Sequence, residues 1–160
     1  DWGSDVCASS LREGDWYPRV YFDDGTPCGS ASNSECRIDS IAQAWGVISG
    51  AAYPERAKRA MAAVDEYLVL PDDKLALLFT PPFDKTSLEP GYIKGYPPGI
   101  RENGGQYTHA ATWSVQASAK PGDGDSAAGR LSYPNPINPP RHWCGAKRVH
   151  VGPSWTCAHR

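Results

Sequence analysis

Apolar residues recur at helical spacing along two neighbouring stretches, residues 40–49 and 54–69. In the first, Ile41, Trp45 and Ile48 fall at i, i+4 and i+7 and form one stripe. Asp39 stands before it as an N-cap, free to accept from unpaired amide groups, and Gly50 follows where a left-handed C-terminal residue belongs. In the second, Ala57, Ala60, Met61, Val64, Tyr67 and Leu68 repeat, with Arg56, Lys58, Arg59, Asp65 and Glu66 largely on the other side. Pro54 lies in the first turn, where its missing N–H costs nothing. The pattern predicts two amphipathic helices joined as an α-hairpin.

Elsewhere the periods are shorter. Val20-Tyr21-Phe22, with Trp16-Tyr17 upstream, reads as a short strand ended by the turn signal Asp23-Asp24-Gly25-Thr26-Pro27. Leu75, Leu77 and Phe79 alternate like a strand before Pro81-Pro82 stops it. Residues 80–100 are rich in Pro, Gly and aromatic residues without helical period, which predicts a long loop. Phe79, Phe83, Tyr92 and Tyr96 favour an ordered one. A third helix is expected from Thr108 to about Ala119, carrying Ala111, Trp113 and Val115. Beyond Ser118 the period is interrupted by Lys120-Pro121 and Ser132-Tyr133-Pro134.

The stretch Arg101-Glu102-Asn103-Gly104-Gly105-Gln106-Tyr107-Thr108-His109 puts a base, an acid, a carboxamide, two glycines and a histidine just ahead of that helix. Adjacent glycines permit positive φ or close approach of the backbone. Unpaired N–H groups and the positive end of the helix dipole suit an anion there. The same residues would also serve as a polar loop and a helix cap.

Composition narrows the function classes. With 160 residues the chain holds one domain with a real core, and its formal net charge of −2 gives no footprint for nucleic acid or an anionic membrane. No apolar run approaches the roughly 18 residues of a membrane span. The residues Asp1-Trp2-Gly3-Ser4 show neither the basic region nor the apolar stretch of a signal peptide, and the five cysteines are an odd number. Free thiols in a reducing cytosol are the simpler expectation, so the segment reads as cytoplasmic, with attachment to a membrane-bound synthase left open.

Two long segments resemble one family. Tyr92-Ile-Lys-Gly-Tyr-Pro-Pro-Gly-Ile-Arg-Glu-Asn-Gly-Gly-Gln-Tyr-Thr-His109 is similar to the signature of the glycoside hydrolase family 94 phosphorylases, including the phosphorylase-like C-terminal region of cyclic β-1,2-glucan synthases. Tyr21-Phe-Asp-Asp-Gly-Thr-Pro27 and Glu35-Cys-Arg-Ile-Asp-Ser-Ile-Ala-Gln-Ala-Trp-Gly-Val-Ile-Ser-Gly50 resemble it in the right order. The likeness by motif runs from about residue 15 to 125. It implies an all-α fold, a partial (α/α)₆ toroid with long Pro/Gly-rich loops and a short β element. Residues 1–138 would be the partial phosphorylase-like domain, and residues 139–160 an irregular tail outside the core.

The implied chemistry is phosphorolysis or transfer at a β-glucosidic bond with inversion. Hydrolytic inverters pair an acid with a base that activates water. Phosphate is already an anionic nucleophile and needs only groups that hold it. By the resemblance His109 and Arg101 contact phosphate, and Glu102, Gln106 and Tyr107 contact sugar. Asp5 stands nearest to the family's Asp-Trp-Asn-Asp general-acid segment, which here reads Asp1-Trp2-Gly3-Ser4-Asp5 with one extra residue. The family's later Thr-Gly phosphate contact finds no match in Gly152-Pro-Ser-Trp-Thr156.

Partners implied are β-glucan or gluco-oligosaccharide and inorganic phosphate as co-substrate, with no cofactor. The chain alone is expected to be silent or weak in catalysis, and a non-catalytic carbohydrate-binding remnant is the alternative. His142, Cys144, His150, Cys157 and His159 are able to bind zinc, but their His-x-Cys and Cys-x-His spacings do not match structural zinc pairs, so no metal site is assigned.

Overall fold

The computed structural model of the chain describes residues 15–120, 122 and 124–135. Their order is β1 (Val20–Tyr21), β2 (Pro27–Cys28), β3 (Ile38–Asp39), α1 (Ser40–Ile48), α2 (Pro54–Leu68), β4 (Val69–Leu70), β5 (Leu75–Ala76), β6 (Phe79–Thr80), a 3₁₀ turn (Tyr92–Gly95), α3 (Thr108–Ala119) and α4 (Gly124–Leu131). Four helices therefore carry the described fold, and the strands are two-residue antiparallel pairs. Val20 faces Cys28 in β1–β2, Asp39 faces Phe79 in β3–β6, and Leu70 faces Leu75 in the β4–β5 hairpin. The expected tail, residues 139–160, lies outside the described residues.

The α-hairpin forms as its pattern predicts. Asp39 caps α1, its Oδ1 accepting from Ile41 N at 2.7 Å and Ala42 N at 3.3 Å. Gly50 takes φ +78°, the left-handed residue that closes the helix. Pro54 opens α2, which buries Ala60, Met61, Ala63, Val64 and Leu68. Tyr67 departs from the expected stripe. It is exposed, with its ring 5.3 Å from that of Trp16.

The stripe on α1 is also rotated from expectation. Ala44 and Val47 face the core beside a fully buried Gln43, while Trp45 is 44% exposed. Gln43 wins an inward position because its carboxamide is satisfied at both ends: Tyr17 N donates to Oε1, and Nε2 donates to Tyr17 O and Asp39 O, each at 2.8 Å. This ties the N-terminal segment to the first turn of α1. Trp16 follows suit, donating from Nε1 to Gly29 O and Arg37 O.

The residues 75–79 do not make one strand. β5 pairs with β4 and β6 with β3, and the chain crosses between them at Leu77 and Leu78. Leu78 is consequently buried although it lies off the alternating set.

Two apolar clusters result. One gathers Ile38, Ala44, Val47, Met61, Val64, Leu68 and Ala117 between the helices, and the other gathers Cys28, Cys36, Leu78, Phe79, Phe83, Ile93 and Ala110 under the long loop. Phe79 and Phe83 are essentially fully buried with ring centres 5.2 Å apart, each contributing about 1.5–3 kcal/mol. That burial makes the 80–107 segment an ordered loop.

Helix α3 joins the clusters, Ala110 entering one and Ala117 the other. Its buried face is Ala110, Ala111, Ser114, Ala117 and Ser118, not the larger Trp113 and Val115. Ser114 and Ser118 donate back to Ala110 O and Ser114 O, so their hydroxyls need no outside partner. Small side chains let α1 and α4 both pack against α3.

Candidate functional site

The site is built on the loop between β6 and α3. Gly104 adopts φ +79°, and a Cβ there would meet Phe79 O and the Pro82 ring at 3.0 Å. Only glycine allows this approach. Gly105 O then accepts from Leu78 N at 2.9 Å, docking the turn onto the strand crossing.

Asn103 is fully buried and holds the loop from inside. Its Nδ2 donates to Phe83 O at 2.9 Å and Tyr96 O at 2.7 Å, while Oδ1 accepts from Phe83 N at 2.8 Å. Arg101 takes φ +51°, a left-handed conformation that costs a non-glycine residue on the order of 1 kcal/mol. Strain of that kind persists where surrounding bonds over-determine it.

The outcome is a charged and aromatic surface. The Arg101 guanidinium carbon lies 4.9 Å from the centre of the Tyr96 ring, and Tyr96 packs edge-on to Tyr92 at 6.2 Å. Tyr92 is 71% exposed. Arg101 Nε stands 3.7 Å from Glu102 Oε2, too far for a hydrogen bond. That carboxylate oxygen is buried and finds no hydrogen-bond partner. Buried polar atoms without partners are rare, and each calls for a ligand, water or ion.

The remaining residues of the motif divide. Gln106 is buried, its Oε1 accepting from Ala76 N at 2.9 Å and its Nε2 lying 3.4 Å from Tyr133 O. Tyr107 is half-buried at the start of α3, with its ring 5.5 Å from that of His109. His109 occupies the first turn of α3 and is exposed, near the dipole end that favours anions. Its ring lies 6.3 Å from Trp113, which in turn meets Trp45 at 5.5 Å. Arg101 and His109 thus stand at opposite ends of one turn. Among the described residues, no hydrogen bond or ring contact joins them. Asp5 lies outside the described residues.

Behind the site Asp39 binds Arg19, whose guanidinium also rests 5.9 Å from the Phe79 ring. Burial pushes the Asp39 carboxyl upward, against the pull of the guanidinium and two helix amides. Among the described residues no group of three or more His, Cys, Asp or Glu could hold a metal, and no helix is long and apolar enough to cross a membrane.

The model of the glycosyl hydrolase 94 superfamily catalytic domain matches residues 4–154. The chain belongs to that superfamily. The match reaches past the 15–125 span of the motifs, taking in Asp5 and much of the tail. Cyclic beta-(1,2)-glucan synthase NdvB of Rhizobium meliloti (strain 1021) is 51% identical over 141 residues, 88% of this chain and 5% of that protein. Solabiose phosphorylase of Paenibacillus borealis is 38% identical over 72% of the chain and 15% of its own length. N,N'-diacetylchitobiose phosphorylase of Vibrio proteolyticus is 34% identical over 84% of the chain and 17% of its own. The chain therefore spans a small part of these superfamily relatives. Tyr96 and Asn103 were not singled out by motif as site residues. Their roles arise from distant loop segments meeting, and spacing does not encode that.

Proposed function

We propose that this chain is part of an inverting glycoside phosphorylase-type domain acting on β-glucan, and that the 101–109 turn binds sugar and phosphate. The buried Glu102 Oε2, 3.7 Å from Arg101 Nε in an ion pair but without a hydrogen-bond donor, carries the reading. A sugar hydroxyl is a donor of the right kind and completes that oxygen, while the exposed Tyr92 offers a ring face to a pyranose. Arg101 and His109 supply cationic and N–H donors for phosphate. Tyr107 borders the same turn, and Gln106 shapes it through its main-chain bonds while keeping lone-pair capacity toward sugar.

In this reading phosphate attacks the anomeric carbon on the face opposite the leaving group. The C–O glycosidic bond breaks, a C–O bond to phosphate forms, and the leaving oxygen takes a proton from an acid. Asp5 is the residue we assign to that proton. The four described helices would be a segment of an (α/α)₆ toroid, completed by further chain. The relatives named as phosphorylases and as a glucan synthase support this class of reaction.

The test is calorimetric titration of the chain with a β-1,2-gluco-oligosaccharide in phosphate buffer, repeated on Glu102→Gln. Binding by the wild type and at least tenfold weaker binding by the variant are expected, since hydrogen bonds to charged groups contribute about 1.5–3 kcal/mol. Equal affinities would overturn the assignment. Because the chain spans only 5–17% of its relatives, binding without turnover is the second reading. Release of glucose 1-phosphate separates the two.

A further inference from the structure

Glu35 lies far from the 101–109 turn in sequence, and nothing in the chemistry above uses it. Yet its carboxylate gathers three consecutive amides of the long loop. Asp84 N donates to Oε2 at 2.9 Å, Lys85 N to Oε1 at 2.8 Å, and Thr86 N to Oε2 at 3.1 Å. Successive N–H groups turned into one concavity form an anion-binding nest, filled here by the chain's own carboxylate. Lys94 grips the carbonyl side of the same segment, donating from Nζ to Thr86 O at 2.7 Å and Leu88 O at 3.2 Å, and pairing with Glu89 at 3.1 Å.

The next residue back connects this clamp to the site. Phe83 is bonded through both its N–H and its carbonyl to Asn103, and Asn103 also donates to Tyr96 O. Asn103 adjoins Glu102 in sequence, and Tyr96 bears the Arg101 guanidinium on its ring. Hydrogen bonds, two peptide links (83–84 and 102–103) and one cation–π contact therefore connect Glu35 through residues 83–86 to Arg101 and Glu102.

We propose that Glu35 is a positioning residue for the sugar- and phosphate-binding turn. By fixing residues 83–86 it sets Asn103 and Tyr96, and through them the placement of Arg101 and Glu102. The proposal rests on the reading that Arg101 and Glu102 contact ligand. A carboxylate suits the task because it offers two acceptor oxygens and no donors. A glutamine would keep one acceptor oxygen and turn an NH₂ toward amide donors.

The experiment compares the wild type, Glu35→Gln, Arg101→Ala and the double variant, all as the full chain. The first readout needs no ligand: the NMR ring-proton shifts of Tyr96, which sense the guanidinium above the ring, and the amide exchange rates of residues 84–86. The second is affinity for a β-1,2-gluco-oligosaccharide in phosphate. Glu35→Gln is expected to speed exchange at 84–86, move the Tyr96 resonances and weaken affinity roughly tenfold. In the Arg101→Ala background the same change should weaken affinity clearly less than in the wild type, because part of its effect runs through Arg101.

Unmoved Tyr96 resonances in Glu35→Gln would overturn the proposal and leave Glu35 as a loop anchor only. Full additivity with Arg101→Ala would overturn it as well. Should Glu35→Gln fail to fold, Glu35→Asp keeps both acceptor oxygens on a shorter arm and must still shift Tyr96. A wild type that binds no oligosaccharide would defeat the functional reading, and the Tyr96 shifts would then decide the positioning claim alone.

Discussion

The Arg101 guanidinium carbon sits 4.9 Å from the centre of the Tyr96 ring, on a backbone held at φ +51°. The flat cation is thereby kept beside Glu102, whose Oε2 is buried 3.7 Å from Arg101 Nε without a donor of its own. A buried acceptor without a donor costs stability. Glu102→Gln should therefore leave the melting temperature unchanged or slightly raised while weakening oligosaccharide binding at least tenfold. Thermal melts and calorimetry on the two proteins check both halves.

A second prediction concerns how α4 is held. Arg130 is buried and reaches Asp65 on α2 with two nitrogens, Nε at 2.8 Å and Nη2, and Nη2 also lies 3.4 Å from Met61 O. Asp65→Ala leaves that guanidinium without its carboxylate. The Asp65 side chain is 52% exposed, so solvent tempers the loss to about 1–2 kcal/mol. Urea unfolding with unchanged slope and a lower midpoint is the expected result.

Much of this architecture could be read from the chain, and the exceptions have physical causes. Asp39, Gly50 and Pro54 announced the ends of α1 and the start of α2 because caps act within a few residues. Trp45 and Tyr67 were misplaced because period alone cannot tell a core stripe from an aromatic pair on the surface. Gln43 displaced the expected face of α1 through hydrogen bonds to Tyr17, a partner 26 residues away. The long motif offers Arg101, Glu102 and His109 as candidates, yet gives no sign of the hydrogen bonds beneath them. Asn103 and Glu35 act by contacts between segments 20 and about 50 residues apart, which local pattern does not carry.

Protonation should release the Glu35 clamp. Burial raises its pKa, but the three amides of residues 84–86 and the nearby Lys94 outweigh that and hold it below the ordinary carboxylate value. A depressed pKa means the clamp is fully present above about pH 4.3 and is lost as pH falls through the lower folded-state value. The amide proton shifts of Asp84, Lys85 and Thr86 should titrate together below that pH. Titration of these three at separate midpoints, or none at all, would contradict the clamp.

The two described cysteines give an independent check on the second core cluster. Cys28 and Cys36 are 2% and 0% exposed. Contact with the Cys28 thiol, together with burial, pushes the Cys36 thiol up, whereas Cys28 is lowered chiefly by its hydrogen bond from Cys36. In the folded chain at pH 8 neither should react with iodoacetamide, since no thiolate reaches solvent, and both should react in urea. Peptide mapping by mass spectrometry reads the result for each site.

The central claim, that the 101–109 turn binds phosphate with His109 at the start of α3, is tested most directly by titrating inorganic phosphate into the chain. The NMR signals to follow are the His109 ring protons, in the wild type and in Arg101→Ala. An anion held at that helix start lies beside the imidazole, so bound phosphate should shift the His109 ring-proton signals in a saturable way. Arg101→Ala should weaken the response about tenfold or more. A His109 resonance that stays fixed at millimolar phosphate, with Arg101→Ala indistinguishable from the wild type, would contradict the account.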